Sequence, residues 1–139
     1  MFVLDSRLQQ DSLVLGDFPL SRVLLSKDAN YPWFILVPRR VGVSELFDLS
    51  QEDQAQLWTE TTYLAEMLKG EFAADKMNVA TLGNVVSQLH MHVIVRQHGD
   101  AAWPAPVWGK VPALEYTPDQ LDAIRQRLRA RLDDRYQEA

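Results

Sequence analysis

Hydrophobic and polar positions fall into five short runs and two longer helical stripes. Val14 to Phe18 and Val23 to Ser26 are strand candidates, linked through "GDFPL", where glycine, aspartate and proline supply turn chemistry. "WFILV", Trp33 to Val37, is an aromatic and β-branched run that predicts a buried strand ended by Pro38. "SELFDL" predicts a short turn. Ser50 then opens "SQED", a capping box, and predicts a helix to about Gly70. Its stripe is Leu57, Thr61, Leu64 and Leu68, widened by Trp58 and Ala65, and predicts core packing.

Lys76 to Leu82 and Gln88 to Arg96 predict two further strands, with Gly83 and Asn84 in the link between them. A loop rich in proline and tryptophan follows, "DAAWPAPVWGKVP". Thr117, Pro118 and Gln120 then predict the start of a second helix, with Leu121, Ile124, Leu128 and Leu132 as its apolar line. Arg125, Arg127, Arg129, Arg131 and Arg135 predict a solvated face, partly balanced by Asp133 and Asp134. The order strands, helix, strands, helix predicts an α+β fold with a mostly antiparallel five-stranded sheet and two main helices.

Composition narrows this further. A chain of 139 residues, 47% hydrophobic and 24% charged, predicts a single globular domain over residues 1–139. There is no cysteine, so no disulfide and no thiolate metal site. The N-terminus does not read as a signal peptide, and no run approaches the length that spans a bilayer, so a soluble cytoplasmic protein without membrane attachment is expected. A net charge of −5 argues against nucleic acid as a partner, while leaving room for a small phosphorylated ligand.

The chemistry concentrates in "SQLHMHVIVR". Strand alternation sends Leu89, Met91, Val93 and Val95 to one face, and Gln88, His90, His92, Ile94 and Arg96 to the other. Neighbours on one face stand about 6.5–7 Å apart, so one phosphate can touch two of them. Three readings compete: satisfied histidines on a half-exposed sheet, two ligands of a metal site, or phosphoryl chemistry with one imidazole attacking and the other stabilising charge. Metal is disfavoured: His98 lies beyond the strand end and no acidic residue occurs between Asp75 and Asp100. No cofactor is expected.

The "QLHMHVI" pattern resembles the signature of the histidine triad (HIT) superfamily, in which three histidines alternate with apolar residues. Leu89, Met91, Val93 and Ile94 fill the apolar positions, and His90 and His92 the second and third triad positions. "ILVPRR" before a helix, "LGNVVSQLHMHVIVR" and a Trp-Pro loop extend the resemblance from about Val14 to Trp108, and to a bacterial branch of the superfamily. The resemblance implies a HIT-like fold and a nucleotidyl hydrolase or transferase. His90 would attack an α-phosphate to form a nucleotidyl-histidine, and His92 would contact phosphate and assist the leaving group. Gly83 and Asn84 match the loop that binds the α-phosphate, although the dipeptide alone is equally an ordinary turn.

The departures shape a second expectation. Gln88 stands at the first triad position, where it would orient its neighbours by hydrogen bonds. Val85 replaces a hydroxyl residue common in the family, and Val41 a frequent histidine. A nucleotide-binding or regulatory protein with weak or no catalysis is therefore the alternative. Ser26 and Lys27 are ribose-contact candidates, against a solvated strand end. Trp103 and Trp108 either shield the site, cross a dimer interface or lie buried under their own loop. The resemblance also implies a homodimer.

Overall fold

The computed structural model describes residues 1–139. All five expected strands form, as β1 (Ser12–Asp17), β2 (Ser21–Ser26), β3 (Trp33–Pro38), β4 (Lys76–Ala80) and β5 (Met91–Arg96). The sheet has six strands rather than five, because Gln137–Glu138 (β6) adds to its edge. The order is β4-β5-β3-β2-β1-β6 and every neighbouring pair is antiparallel. Two polar, exposed residues carry no hydrophobic signal, so β6 had none to read. Its pairing is a backbone matter: at Gly16 a Cβ would collide with the Gln137 carbonyl and the Tyr136 ring.

Local chemistry sets the helices. α1 (Ser6–Asp11) starts where Asp5 accepts from Arg7 N–H. α2 (Gln51–Glu71) starts where the Ser50 hydroxyl accepts from Asp53 N–H, and α3 (Pro118–Arg131) has the reciprocal Thr117–Gln120 box with proline in its first turn. "SELFDL" holds a short 3-10 turn at Leu46–Asp48. The α2 stripe is buried at Leu57, Thr61, Leu64 and Leu68, while Trp58 is 47% exposed and does not widen it. The reason is angular: Trp58 follows Leu57 by one position, about 100° around the helix, and faces outward.

α2 and α3 cover one face of the sheet. Leu57, Leu64, Leu68, Ile124 and Leu128 pack there against Val23, Leu25, Phe34 and Leu36, together with Leu89, Met91, Val93 and Val95. Each fully buried leucine contributes about 1.5–3 kcal/mol, which makes this layer the main source of cohesion. The arginines of α3 are balanced by distant carboxylates, while Arg135, beyond the helix, keeps the expected local partner Asp133. Arg127 and Arg131 reach Glu71, and Arg129 reaches Glu138.

The other face is covered in two parts. The N-terminal arm and α1 lay Leu4 and Leu8 on Leu24, Ile35 and Val37. Beyond them Tyr31, Ile94, Ala102 and Val107 form a second cluster under the tryptophan-rich loop. Arg96 fastens this loop. It donates to both oxygens of Asp100 at 2.8 and 3.0 Å, to Asn78 Oδ1 at 2.8 Å and to the Ala105 carbonyl at 2.8 Å. Its guanidinium lies 5.7 Å from the Tyr31 ring centroid and 5.6 Å from that of Trp103. Burial alone raises the Asp100 pKa, but hydrogen bonds from Arg96, Gln97 N–H and Ala102 N–H outweigh it and hold the carboxyl at about 2.

Candidate active site

β5 begins at Met91 rather than Gln88, so His92 is a strand residue while His90 and Gln88 belong to the loop that enters it. The two histidines still share one face of the sheet. Their rings meet edge to face with centroids 4.8 Å apart, and each residue is only 6% exposed. The loop that delivers them is pinned along its length. Thr81 Oγ1 donates to the His90 carbonyl at 2.7 Å, and Leu89 N–H donates to the Val43 carbonyl at 3.0 Å.

The protons on the two rings follow from their partners. His90 Nδ1 lies 2.7 Å from the Gln88 carbonyl oxygen, which can only accept. Nδ1 therefore carries the hydrogen, and Nε2 of a neutral His90 carries the lone pair. His92 is the mirror case. Trp33 Nε1–H donates to His92 Nδ1 at 2.9 Å, and an indole N–H can only donate. A neutral His92 therefore bears its hydrogen on Nε2. Burial, then the charge of His90, pushes the His92 pKa down to about 3, so this ring is neutral at physiological pH. The site holds one imidazole with a free lone pair beside one imidazole that donates.

Gln88 contributes through two separate groups. Its carbonyl serves His90, whereas its side chain serves the N-terminal arm: Oε1 accepts from Asp5 N–H at 2.8 Å and Nε2 donates to the Val3 carbonyl at 2.9 Å. Trp108, 39% exposed, stands over the site with its ring 5.0 Å from His92 and 5.6 Å from Trp33, both edge-on. Gly83 takes φ +83°, a left-handed turn that favours glycine, and leaves Asn84 and Val85 exposed at the tip of the loop. Arg96 faces the same side of the sheet but is consumed by Asp100, Asn78 and Ala105. Ser26 and Lys27 stand at the end of β2, on the far side of β3 from His92, and neither side chain makes an intramolecular hydrogen bond. No three acidic or histidine side chains converge to hold a metal ion, and no helix is long and apolar enough to cross a membrane.

A family model for the HIT domain matches residues 7–99, two-thirds of the chain including the whole of this loop and strand. The chain belongs to the HIT family. Members of that family are commonly nucleotide hydrolases or transferases. Three similar solved structures come from bacteria. A histidine triad protein from Bradyrhizobium japonicum is 48% identical with a TM-score of 0.92, covering 94% of this chain and 97% of its own. One from Sinorhizobium meliloti is 41% identical with a TM-score of 0.92, covering 95% and 98%. One from Marinobacter aquaeolei is 48% identical with a TM-score of 0.91, covering 94% and 95%. No curated protein matches the chain significantly.

Two elements of this HIT protein's site have no counterpart in the sequence reading. Trp33 reads there only as part of a buried strand. The available signal is its indole N–H, which needs an acceptor when buried, and the alternation that sets Trp33, Ile35 and Val37 on one face of β3. The β3–β5 register, Ile35 opposite His92, makes that the histidine face. The second element is the N-terminal arm, whose contact with Gln88 spans 83 positions and leaves no local trace.

Proposed function

We propose that this HIT protein is a nucleotidyl hydrolase or transferase in which His90 attacks the α-phosphorus of a nucleotide. Nε2 of His90 forms the N–P bond, the leaving group departs with its electron pair, and water then cleaves the nucleotidyl-histidine. The observation that carries this reading is the pair of opposed tautomers 4.8 Å apart, one ring ready to attack and the other ready to donate. In this scheme the Gln88 carbonyl stabilises the charge that appears on His90 after attack. His92 Nε2–H donates to a phosphate or leaving-group oxygen, Gly83 and Asn84 offer amide donors to the α-phosphate, and Trp108 excludes water. Ser26 and Lys27 are not needed by it.

The test is incubation with a nucleoside 5′-phosphoric anhydride, followed by mass spectrometry of the acid-sparing digest. Turnover that disappears in His90→Ala, with a nucleotidylated peptide containing His90, is the expected result. Low exposure of both imidazoles and the diversion of the Gln88 side chain to the arm favour a second reading, nucleotide binding without turnover. AMP binding by calorimetry with no turnover and no adduct supports that one. The exposed edge beside β5, with Val79 on β4 and Leu82 and Val85 beyond it, supports a homodimer formed there, and sedimentation at micromolar concentration checks it.

A further inference from the structure

We infer that Trp33 makes this site selective for leaving groups that depart as stable oxyanions, because it holds His92 as a hydrogen-bond donor with no spare proton. The inference rests on the nucleotidyl-transfer reading and narrows its substrate class to phosphoric and carboxylic anhydrides of nucleoside monophosphates, away from phosphoramidates of alkyl amines.

The argument is geometric. To act as a general acid, His92 must first become an imidazolium, with hydrogens on both nitrogens. The second hydrogen would have to sit on Nδ1, where the Trp33 N–H already points from 2.9 Å. Two donors would then face each other. The surroundings offer no compensation. His92's register partners, Ile35 on β3 and Ala80 on β4, are uncharged, as are the rings of Trp33 and Trp108. The one titratable group against it is His90, which becomes cationic once its N–P bond forms and repels a second positive charge. Burial acts in the same direction on His92. His90 cannot substitute as the acid, since its Nδ1–H is bound to the Gln88 carbonyl.

The bonds balance only for one kind of leaving group. With an anhydride, the N–P bond forms as the P–O bond breaks, and the electron pair leaves on an oxygen that is stable as an anion and accepts a hydrogen bond from His92 Nε2–H. With an alkyl phosphoramidate, the P–N bond must break onto nitrogen, which leaves only if protonated. Neither imidazole has a proton to give.

Wild-type protein is assayed on an adenosine 5′-phosphoric anhydride and on an alkyl-amine adenosine 5′-phosphoramidate, alongside Trp33→Phe and Trp33→His. Long-range ¹H–¹⁵N NMR reads the His92 tautomer in each. Wild type should favour the anhydride by at least about 100-fold in kcat/KM at pH 7, since a general acid is worth about 10²–10⁴-fold. Its His92 should remain Nε2–H from pH 8 to 5. In Trp33→Phe, His92 Nδ1 loses its donor, so His92 should take up a proton at a higher pH than in the wild type, and the phosphoramidate should gain about tenfold or more as pH falls from 8 to 6. Comparable wild-type rates on both substrates overturn the inference, as does protonation of wild-type His92 above pH 5. Inactivity on both substrates with His92 locked overturns the nucleotidyl-transfer reading instead. Trp33→His, able to hydrogen-bond again, keeps the NMR comparison informative if the phenylalanine variant folds poorly.

Discussion

Gln88 reaches 83 positions back along the chain to accept a hydrogen bond from Asp5 N–H, and its own carbonyl simultaneously holds His90. One residue thus joins the N-terminal arm to the His90 imidazole, with a different group serving each. The two functions separate under mutation. Gln88→Ala removes the arm contacts and retains the carbonyl. It should cost about 1–2 kcal/mol for the two lost hydrogen bonds, speed amide exchange in residues 3–9, and lower turnover less than tenfold. Urea titration, hydrogen exchange and steady-state rates check it. Unchanged exchange in the arm would rule out the clamp.

The neutral burial of His92 makes stability depend on pH. An unfolded histidine takes up a proton near pH 6.5, whereas folded His92 does so near pH 3. The unfolded state therefore binds more protons between these values, and stability falls as pH drops from 6.5 towards 3. The limiting slope from this one group is about 1.4 kcal/mol per pH unit. His92→Leu should flatten the stability curve between pH 6 and 4. Asp100, held at about 2, contributes below this range: its stabilisation is present above pH 4 and lost as pH falls through 2. Denaturant midpoints at pH 7, 6, 5 and 4 measure the slope.

Arg96 and Asp100 form a buried ion pair, with side chains 2% and 8% exposed. Removing either partner strands the other charge among Tyr31, Trp103 and the Ala105 carbonyl. Arg96→Met and Asp100→Asn should each cost about 3–5 kcal/mol. The double variant should cost less than the sum, because no lone charge remains. Thermal unfolding of the three variants measures the coupling.

Gly16 is needed for close approach rather than for an unusual backbone angle. Gly16→Ala drives a methyl into the Gln137 carbonyl and the Tyr136 ring, and should cost about 1–3 kcal/mol by overpacking. β6 is the edge strand opposite β4, and β1, β2 and β3 separate it from β5, so the His90 and His92 ring signals should not move. A shift of those signals would show that the edge strand communicates with the site.

What could be read in advance was what local chemistry determines. Ser50 and Thr117 cap their helices within three residues, and Leu57, Leu64 and Leu68 mark a stripe by spacing alone. Alternation around His92 sorted Met91, Val93 and Val95 onto the core, because one β-strand has only two faces. The illegible parts are long-range and polar. Alternation put Arg96 on the histidine face but could not name its partners, because only the returning loop supplies Asp100 and Ala105 to bind it. Trp33 seemed a core residue, since its acceptor lies 59 positions away. Trp58 sat close enough to the α2 stripe to be counted with it, although one step of about 100° turns it outward.

The indole–imidazole bond between Trp33 and His92 also has a consequence in time. It joins β3 to β5 across the entire α2 excursion, and such a loop must close before the contact can form. A partly folded chain holds both histidines, but the tautomer of His92 is not yet fixed. Recovery of turnover during refolding should therefore trail helix formation and coincide with completion of the sheet, which makes the reaction itself a clock for the last step of assembly.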